Sequence, residues 1–466
     1  MAFHVATRDP ASFRDPDGFV YRKGGRILRQ LNPAYRENFA ALQTSGLWEE
    51  LSSEGLLIKT EQVALSEAFS EDALAVFAPS EIPFISYPYE WCYSQLKEAA
   101  LLTLTIQRRA LERGFTLKDC SAFNVQFQGG APVFIDSLSF QIYREGTPWH
   151  AYRQFCEHFL LPLALMRYRG LEAHRLLVGH VSGVPLDFGV PLLPKGAFLR
   201  PGLLAHLLLH ARFQRKSNSS LLSPSTKNFP KRSFSNLLDH LEGTLSGLAL
   251  PKSQSFWERY YEDELNYSGA AFEEKKRFVA EALARLKPKM VWDVGANTGV
   301  FSRVAAEKAD YVVSGDLDSV CVERNFQALK GDSSSRVLPL ILDLCNPSPA
   351  IGWSNRERAS LSERGPADMV LALALVHHLA IGNNVPLPMI AEFFSKIARS
   401  LIIEFVPKDD SQVERMLSSR ADIFTHYCVD AFELSFAQYF RITDRQKLAG
   451  SSRELFVMEN IGLSEQ

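Results

Sequence analysis

Between residues 290 and 406, short apolar runs alternate with segments of helical pattern. Met290–Trp292, Tyr311–Gly315, Leu338–Leu342, Asp368–Leu375 and Ser400–Val406 are each nearly continuous in apolar residues. Strands of a parallel sheet read this way, because helices cover them on both faces. Two later runs, Phe440–Leu448 and Glu454–Met458, suit a hairpin at the edge of the sheet. The spacing predicts a doubly wound α/β sheet of seven strands. A helix near Phe272–Leu286 leads into it, preceded by the aromatic and acidic stretch Phe256–Tyr267. Tyr260, Tyr261 and Tyr267 there either close over a ligand at the first strand or pack on the sheet edge.

Upstream the periodicity is mixed and predicts an α+β domain. Residues 19–29 (FVYRKGGRILR) form a hairpin around Gly24-Gly25, followed by a helix over Asn38–Leu51. A longer helix spans Tyr93–Arg113. Val125–Phe127 and Val133–Ile135 form a second hairpin, turning at Gly129-Gly130. The richest apolar run, around His158–Met166, contains Pro162 and reads as a core helix. Ser217–Ser235 is rich in Ser, Asn, Pro and Lys and reads as a linker, with a short amphipathic helix at Asn236–Leu245 behind it. The pattern thus divides the chain into an N-terminal domain at 1–216, a linker and short helix at 217–250, and a C-terminal domain at 251–466.

With 466 residues, of which 46% are hydrophobic, two sizeable cores are possible. The net charge of −2 supplies no polyanion-binding surface, so nucleic acid is not expected as a partner. Cys92, Cys120, Cys156, Cys321, Cys345 and Cys428 are scattered without a C-x-x-C pair, which fits free thiols in a reducing, cytoplasmic setting. No apolar run is long enough for a membrane span. No metal site is expected: His206 and His210 share a helical face but lack a third ligand.

The candidate chemistry gathers at residues 290–307. A strand ends in Asp293, a turn follows on Gly295, Asn297 and Gly299, and a helix starts at Val300. Strand, small-residue turn and helix N-terminus make a nucleotide-sized cradle. A dinucleotide fold would carry G-x-G-x-x-G, and Asp293 would repel a pyrophosphate. A cofactor bearing an amino group and a sulfonium would be attracted. The turn resembles motif I of class I S-adenosylmethionine (SAM)-dependent methyltransferases, whose sheet is Rossmann-like. Those enzymes usually carry a third glycine where this chain has Asn297, and asparagine tolerates the left-handed backbone required there. Asp316, at the end of the second strand, is placed to accept the ribose hydroxyls. The resemblance also implies that Asp343 faces the adenine amino group. Each has a plainer alternative, Asp316 or Asp318 as a helix cap and Asp343 as the start of a turn.

Beyond the fourth strand, where the reacting methyl group would lie, the residues are Val376-His377-His378-Leu379. This is not the Asn/Asp-Pro-Pro-Tyr/Phe signature of enzymes that methylate base or glutamine amines. Two histidines suit removal of a proton from a hydroxyl or an acidic carbon, because imidazole titrates near neutrality. His378 is the favoured catalytic residue, with His377 beside it. Glu404, in the middle of the fifth strand, either faces the same pocket or pairs with a nearby Lys or Arg.

Asp119, Asn124 and Asp136 carry a second pattern. Their spacing resembles the catalytic core of protein-kinase-like phosphotransferases, with Arg29 in the region of the family's phosphate-binding lysine. The glycine-rich phosphate loop and the catalytic-loop histidine are absent. R-D-P-D-G-F-V near the start, S-Y-P-Y-E-W at 86–91, L-K-D-C-S-A-F-N at 117–124, I-D-S-L-S-F at 135–140, D-V-G-A-N-T-G and V-H-H-L together resemble bacterial SAM-dependent methyltransferases related to the nodulation protein NoeA. The resemblance implies methyl transfer from SAM, here to a small-molecule or carbohydrate-like oxygen acceptor, with the N-terminal domain helping to hold acceptor or partner. The alternatives are a bifunctional chain with an active phosphotransferase and a non-catalytic SAM-binding sensor or scaffold.

Overall fold

The computed structural model describes residues 6–219, 229–252, 269–418 and 421–463. The chain divides into two compact units, one of residues 1–252 with 350–358 and one of residues 253–349 with 359–466. Phe256–Tyr267, with its three tyrosines, lies outside the described residues.

The first unit opens with an antiparallel sheet of β1 (Thr7–Arg8), β2 (Gly18–Lys23), β3 (Arg26–Leu31), β4 (Thr60–Val63) and β5 (Ala75–Pro79), in the order β1-β2-β3-β5-β4. Gly24 and Gly25 both have positive φ, as a two-residue hairpin turn requires. The helix expected over 38–51 is two helices, Arg36–Ser45 and Leu47–Ser53, broken where Gly46 adopts a left-handed conformation. Helix Tyr93–Glu112 is followed by β6 (Phe115–Leu117), the hairpin β7 (Val125–Gln128) and β8 (Ala131–Phe134), and β9 (Phe140–Ile142), which pairs with β6. The segment read as a linker is largely helical where it is described. One helix covers His210–Ser219, and another runs over Lys231–Gly247 rather than starting at Asn236. Phe234, Leu238, Leu241 and Leu245 form its buried stripe, so packing of Phe234 carries the helix one turn upstream.

The second unit contains β10 (Met290–Val294), β11 (Tyr311–Asp316), β12 (Val337–Ile341), β13 (Ala367–Ala372), β14 (Ala398–Phe405), β15 (Phe440–Lys447) and β16 (Glu454–Asn460). Their order is β12-β11-β10-β13-β14-β16-β15, and all run in one direction except β16, which is antiparallel to both of its neighbours, β14 and β15. This is a doubly wound, Rossmann-like sheet of seven strands. Its order reverses at β10, so the crevice between the carboxyl ends of β10 and β13 is where such a sheet takes a ligand. Helix Gly269–Leu286 buries Ala271, Lys275, Phe278, Val279, Ala282 and Leu283, one stripe at helical spacing. Phe278, Val279 and Leu283 share a core with Val291, Phe301, Val312 and Ile402. Among the described residues, no helix is long and apolar enough to cross a membrane.

Candidate active site

The turn after β10 is fixed by its backbone. Gly295, Asn297 and Gly299 have φ of 81°, 53° and 79°. The N–H groups of Gly295 and Ala296 donate to the Gly315 carbonyl at 2.8 and 3.0 Å, tying the turn to the end of β11. Asn297 stands where a glycine would otherwise be needed, and its Oδ1 accepts the Thr298 N–H at 2.7 Å. Asparagine is stabilised in a left-handed conformation by such local bonding.

Asp316 is brought to the same turn. Its Oδ2 accepts the Asn297 N–H at 2.7 Å and its Oδ1 accepts the Asp318 N–H at 2.8 Å. Asp318 is the helix cap, accepting from Val320 and Cys321. Each Asp316 oxygen therefore keeps a lone pair for a further donor. Burial pushes the Asp316 carboxyl up to about 6, against the two backbone N–H groups that lower it. Asp343 starts a turn, its Oδ1 accepting from Cys345 at 2.9 Å and Asn346 at 3.2 Å, and its Oδ2 takes neither bond.

Asp293 is enclosed. Burial pushes it up to about 7, countered by Ser302 and reinforced by the charge of Asp316. Ser302 Oγ donates to Asp293 Oδ2 at 2.6 Å and lies 2.7 Å from Ser314 Oγ, which accepts from Asn325 Nδ2 at 2.8 Å. A chain of donors thus runs from the Asn325 helix to the carboxylate. Asn325 also lies beneath Gly299, where an added Cβ would sit 2.4 Å from Asn325 Oδ1.

His377 and His378 follow β13 with ring centroids 4.1 Å apart. His377 is 1% exposed, and its Nδ1 has no hydrogen-bond partner among the described residues. Burial, then the charges of His378, Arg453 and Lys275, holds it well below the ordinary histidine value. Burial and Arg453 push His378 down to about 4. The reading from sequence, in which imidazole titrates near neutrality, is changed by this environment: burial and the neighbouring charges favour the neutral form of both rings. A neutral imidazole retains the lone pair that accepts a proton or a hydrogen bond.

Glu404 takes the second of its two alternatives. It accepts from Lys275 Nζ at 2.6 Å, with both side chains fully buried. Arg453 Nη1 stands 3.8 Å from Glu404 and is held by Asp410 through Nε at 2.7 Å and Nη2 at 3.1 Å. Sequence reasoning missed Lys275, Arg453, Ser302, Ser314 and Asn325. The available signals were a carboxylate inside an apolar strand and a lysine on the apolar stripe of a helix.

In the first unit, Arg29 of β3 forms an ion pair with Asp136, whose Oδ2 also accepts from Ser139. Burial raises the Asp136 carboxyl, but Arg29 and Ser139 more than offset it and hold it low. Asp119, raised by burial and by the charge of Asp136, is hydrogen-bonded by Ser121, Gln154 and Asn124. The pattern residues gather, with Asp136 closed by Arg29. His206 and His210 are held by other groups: His206 lies 2.7 Å from both His240 Nδ1 and Tyr152 Oη, and His210 stacks on Tyr152.

No family model matches the chain. The nodulation protein NoeA of Rhizobium meliloti (strain 1021) is 38% identical over 460 residues, covering 97% of this chain and 96% of that protein. The chain belongs to the NoeA family. The aligned span covers most of both units. Among solved structures, the N-methyltransferase NodS from Bradyrhizobium japonicum WM9 with S-adenosyl-L-homocysteine (SAH) matches 44% of the chain and all of its own, at 13% identity and a TM-score of 0.32. The magnesium protoporphyrin IX methyltransferase ChlM from Synechocystis PCC 6803 matches 44% of the chain and 92% of its own, at 16% identity and a TM-score of 0.31.

Proposed function

We propose that this NoeA-family chain is a SAM-dependent methyltransferase acting on an oxygen of a small-molecule or carbohydrate-like acceptor. The observation that carries this reading is the union of the left-handed turn with Asp316 at the sheet's switch point. The site fits the cofactor: Gly295, Asn297 and Gly299 hold the turn in left-handed backbone at the carboxyl end of β10, and Asp316 keeps one lone pair per oxygen for a ribose diol. Asp343 Oδ2 suits an adenine amino group. Leu317, 51% exposed directly after Asp316, offers an apolar surface to the purine. Asp293 supplies negative charge for the amino and sulfonium end. When bound, SAM supplies an electrophilic methyl group. The chain's own task is to orient the acceptor, exclude water and receive the acceptor proton, and His378 is the residue for the last step.

The experiment is methyl transfer from methyl-labelled SAM to a small-molecule extract and a panel of glycans. The wild type is expected to label a product. His378→Ala is expected to lower kcat by about 10²–10⁴-fold while keeping SAH affinity. Saturable SAH binding without labelled product would favour the sensor or scaffold instead.

The burial of Asp293 gives a pH dependence. Its folded value lies above the ordinary 3.8, at about 7. In the ligand-free protein this carboxyl contributes stability that is present below about pH 4 and lost as pH rises through about 7. Binding of a cation runs the opposite way, because it favours the ionised form. SAM affinity is expected to rise by roughly tenfold from pH 6 to pH 8, with a smaller rise for SAH, which lacks the sulfonium charge. Calorimetric titrations at pH 6, 7 and 8 check this. A flat profile for SAM would show that Asp293 does not sense the ligand.

A further inference from the structure

The first unit includes residues 350–358, a loop closed by paired backbone bonds between Ile351 and Arg358. It brings in two charged side chains, Glu357 and Arg358. Glu357 is fully engaged: Arg14 Nε and Nη2 reach its two oxygens at 3.0 and 2.9 Å, and the Trp353 N–H adds a third bond at 3.0 Å. Arg358 is left without a carboxylate of its own. Its Nη1 donates to the Glu357 backbone carbonyl at 2.9 Å, and its Nη2 stands 3.9 Å from Glu357 Oε1, beyond hydrogen-bond length. Its Nε is buried and has no hydrogen-bond partner among the described residues. Two guanidinium groups thus share one carboxylate. Burial holds Arg358 below its ordinary value despite Glu357, the response of an undercompensated buried charge.

The surroundings are aromatic. The Arg358 guanidinium lies 4.4 Å from the centre of the Phe123 ring, which Tyr87, Tyr89 and His158 surround at 6.2, 6.3 and 6.1 Å. His158 is 1% exposed. One of its nitrogens bonds to the Ser182 backbone, while its Nδ1 is buried and without a partner. Burial and the charge of Arg358 keep the ring neutral, so Nδ1 presents a lone pair. The side chain of Arg358 remains 16% exposed, which leaves it reachable from solvent. A guanidinium edge lacking its acceptors and an imidazole acceptor lacking its donor are complementary to a group that carries both negative oxygens and a hydroxyl.

We propose that Arg358 and His158, walled by Tyr87, Tyr89 and Phe123, form a binding site for an anionic group of a small-molecule ligand, a phosphate or a hydroxyl-bearing carboxylate. The Nε–Nη2 edge of Arg358 takes two anionic oxygens side by side. His158 Nδ1 accepts from the adjoining hydroxyl. The aromatic walls exclude water and strengthen both contacts. The site stands whether or not the C-terminal sheet transfers methyl groups.

The test is a thermal-shift and calorimetric titration of the full chain at pH 7 with inorganic phosphate and with lactate, against sodium chloride at equal ionic strength. At least one of the two ions is expected to bind saturably to the wild type, and which one does so distinguishes phosphate from carboxylate recognition. Arg358→Gln is expected to weaken that binding by about tenfold or more. His158→Phe, which keeps the ring and removes the acceptor, is expected to weaken it several-fold. It gives the reading should Arg358→Gln not fold, as judged by circular dichroism. No saturable binding of either ion beyond chloride, or equal binding by wild type and His158→Phe, would overturn the proposal.

Discussion

Glu404→Gln is expected to destabilise the C-terminal unit by about 3–5 kcal/mol, the usual effect of removing one member of a buried ion pair. Lys275 and Glu404 are both fully buried and 2.6 Å apart. Glutamine keeps the shape but leaves the Lys275 ammonium in a dry interior. Lys275 already lies below the ordinary lysine value, because burial outweighs the attraction of Glu404. The double variant Lys275→Met/Glu404→Leu is expected to recover most of the loss, since a well-packed apolar pair is close to neutral relative to the ion pair. Urea unfolding followed by circular dichroism measures both. If the losses in Lys275→Met and Glu404→Leu, made singly, add up to the loss in the double variant, the pair does not act as a unit.

The second large effect is on ligand binding. Gly299→Val is expected to lower SAH affinity on the order of 100-fold, or about 2.7 kcal/mol. At φ 79° a β-branched residue is strained, and its Cβ would fall 2.4 Å from Asn325 Oδ1. Asn325 has little freedom to withdraw, since its Nδ2 is held by Ser314 and its Oδ1 lies 3.4 Å from Arg303. Gly299→Val/Asn325→Ala is expected to regain only part of the affinity, because it removes the clash and leaves the strained φ. Asn297→Gly is expected to bind SAH within about threefold of wild type, since glycine adopts the same left-handed backbone without cost to sterics. Full affinity in Gly299→Val would show that the turn does not hold the ligand.

Much of this architecture was legible in local pattern. The apolar runs mark the five strands β10 to β14 because burial on both faces leaves little room for polar residues, whereas β15 alternates more and less exposed positions and carries polar residues along its length. The turn at 295–299 was legible because only a few residue types accept positive φ. What escaped is non-local. Glu404 interrupts an apolar strand, yet nothing local says that its partner is Lys275, 129 residues upstream. Helical spacing puts Lys275 on a buried stripe, where lysine is so rare that the position itself was the clue. The lowered values of His377 and His378 follow from burial and then from charges such as Arg453, neither visible in the run V-H-H-L. Gly46 broke a helix that periodicity alone joined, and Phe234 lengthened one that a Ser/Lys-rich composition hid. The pairing of Arg29 with Asp136 shows the same limit, since spacing brought both into view and tertiary contact decided their relation.

The most direct test of the central claim is a calorimetric titration of the purified chain with SAH at pH 8, beside Asp316→Ala. The account predicts saturable binding near one site per chain, abolished or weakened at least 100-fold when Asp316 can no longer anchor the Asn297 N–H and accept the ribose. Absence of saturable binding by the wild type, or undiminished binding by Asp316→Ala, would contradict it.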